Sequence, residues 1–173
     1  MLNRPVENRP PVSQLNVYAS DNHFQAAKAY IKNLVYQPMN TNSPIMFYPT
    51  TMTLAKGKKV GEIVKPNSQH IISFVIKPLG TFSGWPNILR FTSDTAVNVG
   101  TYGVRNPTVW FHPDTYDVQL YAMTMTSTSP VLFDRMKGIV ENQENEVKIV
   151  ARNHLITVFI NHIKVEEFHS ALT

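Results

Sequence analysis

Six histidines and one adjacent pair of glutamates are the residues of this chain that first suggest metal binding or catalysis. None of the histidines has a cysteine or carboxylate at the spacing of a metal-binding motif; they are His23, His70, His112, His154, His162 and His169. Glu166 and Glu167 alternate to opposite faces of a predicted strand, so they cannot flank one glycosidic bond. Nucleophile-elbow, phosphate-loop and dinucleotide motifs do not occur in the sequence. We therefore expect no enzyme activity, no metal and no cofactor.

Aromatic and fork-shaped polar side chains favour binding instead. Trp85 lies in a Gly/Pro turn that favours exposure, whereas Trp110, between two apolar residues, suits core or sheet packing. Flat rings and guanidinium forks suit sugars, carboxylated sugars or peptides. The candidate ligand-binding residues are Trp85, Arg90, Thr92, Arg105, Asn106, His112 and Tyr116.

The net charge of +4 and the isoelectric point near 9.3 raise the question of nucleic-acid binding. The basic residues are scattered, and the one dense cluster, at 56–59, has no interleaved aromatic residues on which bases could stack. This cluster fits a solvated hairpin turn. We therefore expect no nucleic-acid partner.

The elements that position these residues are predicted to be short strands. Ile72, Phe74 and Ile76 alternate with more polar neighbours, and the alternation resumes over 87–92 after a turn rich in Pro and Gly. On that second strand Arg90 and Thr92 share a face that is either solvated or a recognition surface. Towards the C terminus, 147–151, 155–160 and 163–168 alternate around turns at 153–154 and 161–162. About ten such strands without helical crossovers predict an all-β, two-sheet antiparallel β-sandwich.

The N-terminal quarter is predicted to lie outside the sandwich. Residues 1–20 are rich in Asn and Pro and predict an extended or mobile arm. Residues 21–44 predict a short helix, capped by Ser20 or Asp21, followed by a linker. Apolar residues at helical spacing would either dock on the sheet or join an oligomer; they are Phe24, Ala27, Ile31 and Leu34. The globular head would then span 45–173, beginning with a strand at 45–48.

Three segments carry a resemblance to a known family. The segments HIISFVIKPLG and NILRFTS, followed by the late hairpin ITVFINH, resemble the galectin-like branch of the concanavalin A-like lectins over about 45–173. The resemblance implies a galectin-like sandwich. It does not imply the galactoside site. Arg90, Thr92 and Asp94 occupy the positions at which galectins have the His, Asn and Arg that bind galactose, and the later Trp-x-x-Glu-x-Arg element is missing.

A galectin-like head without cysteines or a leader, behind an Asn/Pro-rich arm, also resembles the attachment-protein heads of reovirus-group double-stranded RNA viruses. That resemblance implies cytosolic synthesis, a place on the outer capsid of the virion beside other capsid proteins, and binding of a host-cell glycan or protein receptor. It also implies a homo-oligomer, a trimer by analogy. The alternative is a non-viral lectin-like interaction module, cytoplasmic or exported without a leader. No segment has the apolar length of a membrane span, so none is expected.

Overall fold

The computed structural model describes residues 13–21, 23–41, 43–80, 82–93, 107–122, 131–152 and 155–169. Within these ranges the chain forms thirteen β-strands and no helix. The strands are β1 Gln14–Tyr18, β2 Ala29–Pro38, β3 Ile45–Tyr48, β4 Met52–Thr53, β5 Lys59–Val64, β6 His70–Pro78, β7 Asn87–Thr92, β8 Thr108–Phe111, β9 Val118–Ala122, β10 Val131–Met136, β11 Asn145–Arg152, β12 Leu155–Ile160 and β13 Ile163–His169.

The strands form two antiparallel sheets. The first sheet has six strands in the order β10-β9-β8-β7-β1-β5, and the second has the order β13-β12-β11-β6-β2-β3 with β4 also paired to β2. Each pairing between the described strands is antiparallel. The predicted all-β class with two antiparallel sheets is therefore confirmed.

One hydrophobic core lies between the two sheets. Alternate residues of β6 (Ile72, Phe74 and Ile76) and of β7 (Leu89 and Phe91) are buried in a single cluster. The ring of Phe47 from the second sheet meets the ring of Phe91 from the first, with centroids 6.5 Å apart. Because strands alternate their side chains, Arg90 of β7 and Thr108 and Trp110 of β8, which are not part of this cluster, lie on the outer face of the six-stranded sheet.

The predicted helix is wrong, because residues 29–38 form strand β2 in the seven-stranded sheet. The register against β6 shifts between Lys32 and Val35, and Asn33 has a φ of 52°, which marks a β-bulge. The bulge changes the buried positions from every second residue to Ile31 and Leu34, three apart. A bulged strand has thus produced the spacing of a helical stripe.

The sandwich begins earlier in the chain than the sequence indicated. Strand β1 pairs with β5 on one side and with β7 on the other, so residues 14–18 belong to the sheet and not to an arm. Ala27, from the predicted helix, is buried in the core, whereas Phe24 lies on the outer face. Residues 1–12 lie outside the described part of the chain. The strand expected at 45–48 is present as β3.

The C-terminal strands follow the prediction closely. Strand β12 pairs with β11 and β13, and the predicted turn at Asn161 and His162 joins β12 to β13. Both turn residues have a positive φ, 51° and 67°, as a two-residue hairpin turn of type I′ requires. The other predicted turn, at 153–154, lies outside the described residues. Among the residues that the structure describes, no helix is long and apolar enough to cross a membrane.

Candidate ligand-binding surface

The outer face of the six-stranded sheet carries polar and aromatic side chains. Arg90 of β7 lies opposite Thr108 of β8, which in turn lies opposite Tyr121 of β9. One step along β8, Trp110 lies opposite Gln119. Trp110 is buried outside the inter-sheet core, with its ring edge-to-face against Tyr121 at 5.3 Å. Trp110 therefore packs on the sheet, one of the roles that its sequence context allowed.

Trp85 and His112 form an aromatic tip at one end of this face. Trp85 precedes β7 and His112 follows β8, so the antiparallel pairing of these strands brings both residues to the same end. The ring centroids are 4.6 Å apart with an interplanar angle of 66°, and 40% of Trp85 is exposed. His112 Nδ1 lies 3.3 Å from the carbonyl oxygen of Pro113. In the neutral tautomer with the proton on Nδ1, this nitrogen donates to the carbonyl and Nε2 can accept a hydrogen bond.

Tyr116 packs against aromatic residues of the core. Its ring packs edge-to-face against Phe82 at 5.5 Å and Phe111 at 6.0 Å, and those two phenyl rings stack in parallel at 4.9 Å. Burial raises the pKa of Tyr116 to about 12, and the neighbouring Glu141 carboxylate contributes to the rise. Tyr116, one of the predicted ligand-binding residues, therefore has its ring against the core.

Arg90 and Thr92 are on the outer face, as the alternation predicted, but they are covered. Arg90 is only 4% exposed, and its Nη1 lies 3.3 Å from Oδ2 of the equally buried Asp21. Thr92 is 1% exposed. In this arrangement neither side chain is open to a ligand. The other two predicted ligand residues, Arg105 and Asn106, lie outside the described residues.

A short segment between β1 and β2, which we name the strap (Ser20, Asp21 and residues 23–27), covers this part of the face. The Asp21 Oδ1 atom accepts hydrogen bonds of 2.9 Å from the backbone N–H groups of His23 and Phe24. The ring of Phe24 stands edge-on to Trp110 at 5.9 Å. The strap therefore places one carboxylate on Arg90 and one aromatic ring on Trp110.

Asn87, at the start of β7, anchors the strap. Its Oδ1 accepts from the backbone N–H of Asp21 at 2.9 Å, and its Nδ2 donates to the carbonyl of Val109 at 3.2 Å. Its backbone exchanges hydrogen bonds with Gln25 and Ala27, at 2.8 and 3.0 Å. All of these groups are backbone or amide groups, so this anchor is insensitive to the charge of Asp21.

Asp21, Phe24 and Asn87 are the residues of this surface that sequence reasoning did not connect with it. Asp21 was predicted to cap a helix, and its carboxylate does accept backbone N–H groups as a cap would. Its other partner, Arg90, is 69 residues away in the chain, and no local pattern indicates such a pair.

The fold and this surface define an all-β sandwich with a polar and aromatic outer face. Within the described ranges, no group of three or more histidine, aspartate or glutamate side chains is placed to hold a metal ion. No family model matches the chain, and no curated protein and no solved structure shows significant similarity to it.

Proposed function

We propose that this chain is a non-enzymatic, lectin-like binding domain that recognises a host-cell glycan or receptor, as the head of a viral attachment protein does. The galectin-like form of the sandwich, the outer-capsid setting and the oligomeric state belong to the same proposal. The galectin-like form rests on the resemblance of the segments HIISFVIKPLG, NILRFTS and ITVFINH to galectins, and the outer-capsid setting and the oligomeric state rest on the resemblance to viral attachment-protein heads. The alternative, a non-viral interaction module, would use the same surface for a protein partner.

The observation that carries the proposal is the exposed aromatic tip. An indole that stays 40% exposed beside a second ring offers a flat apolar surface of the kind that contacts the C–H face of a sugar. The His112 ring adds a hydrogen-bonding nitrogen at the edge of that surface. Exposed tryptophans of this kind are typical binding hot spots, where truncation costs about 2 kcal/mol or more.

The test is binding of the full chain to a glycan array and to cultured cells, with Trp85→Ala as the main variant. Tyr30→Ala is the matched control, because Tyr30 is 38% exposed and lies on the other sheet. We expect Trp85→Ala to weaken binding about 30-fold or more, the equivalent of about 2 kcal/mol, with the control unchanged. Glycan binding that survives Trp85→Ala would exclude the tip. If the chain binds no glycan and no cells, but captures a protein, the interaction module is supported instead.

A further inference from the structure

We propose that the outer face of the seven-stranded sheet is the contact surface between two copies of this chain, packed face to face about a two-fold axis. The aromatic tip belongs to the other sheet, so this inference stands without the proposed glycan-binding function. It gives the oligomer a defined surface and makes it a dimer, in place of the trimer that the family resemblance implied.

The outer face of the seven-stranded sheet carries a group of apolar side chains that do not belong to the core. They alternate with the buried residues of their strands, are half-buried and lie outside the core cluster; we name them the outer patch (Val35, Ile71, Val75, Val150 and Phe159). Polar residues are usual at such positions when a sheet faces water, whereas homodimer interfaces are more apolar. In the described ranges no strand packs on this face. The outer patch therefore has the composition of a subunit contact.

The outer patch is self-complementary about an axis that runs along the strands between β6 and β11. Ile71 of β6 lies directly opposite Val150 of β11. Two residues along, Val35 of β2 and Phe159 of β12 lie one strand further out on either side of the same axis. A two-fold rotation exchanges β6 with β11 and β2 with β12. Ile71 of one copy then meets Val150 of the other, and Val35 meets Phe159.

Lys148 and Glu146 add charge complementarity to this contact. Both lie on the outward side of β11, two residues apart and next to the axis. Lys148 is half-buried and has no ion-pair partner in the part of the chain that the structure describes. Glu146 lies 3.5 Å from the exposed His162, which is charged only when protonated. The two-fold axis brings Lys148 of each copy close to Glu146 of the other, and such pairs fix the register of an interface.

The size of the face is sufficient for a stable dimer. Six strands run side by side across this sheet. At a spacing of about 4.8 Å, and with strands of about seven residues at about 3.4 Å each, they form a face of about 700 Å². Two such faces bury about 1,400 Å² in total, which lies within the range of specific interfaces. Stacked sheets cross at about 30°, so the pairs nearest the axis stay in contact.

The first experiment is sedimentation equilibrium of the full chain. Interfaces of about this size have dissociation constants from micromolar to picomolar, so at about 50 μM we expect the mass of a dimer, twice 19.6 kDa. A wild-type mass of 19.6 kDa at that concentration would overturn the proposal, whatever else the face binds.

Val150→Asp places a carboxylate in the apolar part of the contact. We expect the dissociation constant of the dimer to rise at least about 100-fold, while circular dichroism stays that of the wild type because Val150 lies outside the core. Val64→Asp is the matched control, since Val64 is 65% exposed on β5 of the other sheet. An unchanged dissociation constant in Val150→Asp would show that the copies meet elsewhere, and the proposal would be wrong.

A charge reversal tests the axis itself and does not depend on the folding of Val150→Asp. Lys148→Glu should weaken the dimer about tenfold or more, because it places like charges near each other across the axis. Adding Glu146→Lys to this variant restores opposite charges and should recover most of the loss. A double variant that dimerises no more tightly than Lys148→Glu would refute the two-fold contact.

The outcomes for the dimer and for glycan binding are separable. The outer patch includes no residue of the tip, so monomeric Val150→Asp should keep the affinity of a single tip and lose only the avidity of two. A wild-type monomer that binds glycans would refute this inference and leave the proposed function intact. A dimer that loses its association in Val150→Asp but binds no glycan would support this inference alone.

Discussion

The side-chain amides of Asn145 and Asn161 hydrogen-bond to each other, with Nδ2 of Asn161 3.1 Å from Oδ1 of Asn145. Asn145, which is 1% exposed, also donates to the carbonyls of Val140 and Gln143 at 2.9 and 2.8 Å. Asn161 donates to the carbonyl of Gly138 at 3.0 Å. The two amides therefore hold the segment between β10 and β11 against the β12–β13 turn.

Replacing Asn145 by alanine should destabilise the fold strongly. Several part-buried backbone groups would lose their partner at once, and each such hydrogen bond typically contributes about 0.5–1.5 kcal/mol, so we expect the free energy of unfolding to fall by about 3 kcal/mol. Urea denaturation measures this change. Gln143→Ala is the control, since that side chain is exposed and should change stability by less than about 0.5 kcal/mol. Similar midpoints for the two variants would contradict the role assigned to Asn145.

Gly61 should tolerate no side chain while Phe47 is present. A Cβ atom at Gly61 would lie 2.5 Å from Cδ1 and 2.7 Å from Cε1 of the Phe47 ring, which packs between β3 and β5. We expect Gly61→Ala to cost about 1–3 kcal/mol, as overpacking does. A double-mutant cycle with Phe47→Leu checks the cause, because the smaller side chain should recover part of the loss. Purely additive effects of the two substitutions would show that the Phe47 ring does not cause the loss of stability in Gly61→Ala.

His70 should make the fold less stable in mild acid. Its ring packs against Tyr36 with centroids 5.0 Å apart, and its Nδ1 donates to the Asn67 carbonyl at 2.7 Å. Burial lowers the pKa of His70 below its usual 6.5, although the hydrogen bond to Asn67 opposes the shift. The unfolded chain therefore binds a proton more readily than the folded one. Stability from the neutral ring is full above pH 6.5 and is lost as the pH falls through the folded-state pKa.

The measurement for His70 is an NMR titration of its ring protons, together with unfolding curves between pH 4 and 8 for wild type and His70→Gln. The variant should lose part of the acid dependence of stability. A titration midpoint at or above 6.5 in the folded protein would contradict this prediction.

Tyr116 should make the stability of the fold depend on pH in the alkaline range. Its folded-state pKa of about 12 exceeds the ordinary value of 10.0, so the native state favours the protonated phenol. Stability should then fall as the pH rises from 10 to about 12, because the unfolded chain releases the proton first. Tyr116→Phe should remove this dependence, whereas Tyr30→Phe, at an exposed position, should keep it. Identical slopes in the two variants would show that Tyr116 titrates normally.

Local alternation was enough to predict much of the fold. In β6 and β12 every second residue faces the core without interruption, so the period of two is visible in the sequence. The turn at Asn161 and His162 was predicted for the same reason, since it separates two such runs. In β2 the bulge at Asn33 interrupts the period, and the remaining pattern matched a helix.

The ligand surface could be predicted only in part. Trp85 was expected to be exposed because it follows a glycine and precedes a proline, and it is. The burial of Arg90 depends on a segment that leaves β1 and crosses β7, and this crossing follows from the pairing of distant strands. Sequence patterns report the period of one strand, but they do not report what covers its outer face.

The position of β1 between β5 and β7 also determines when the six-stranded sheet can form during synthesis. Its five residues precede both of its partner strands in the chain, β5 at 59–64 and β7 at 87–92, and are therefore made before them. Until residues 87–92 have been made, β1 can pair with β5 but not with β7, so one of its edges has no partner strand. In the six-stranded sheet, β1 is thus paired on both sides by strands that are made after it, and a ribosome that stalls before residue 92 leaves β1 without its second neighbour.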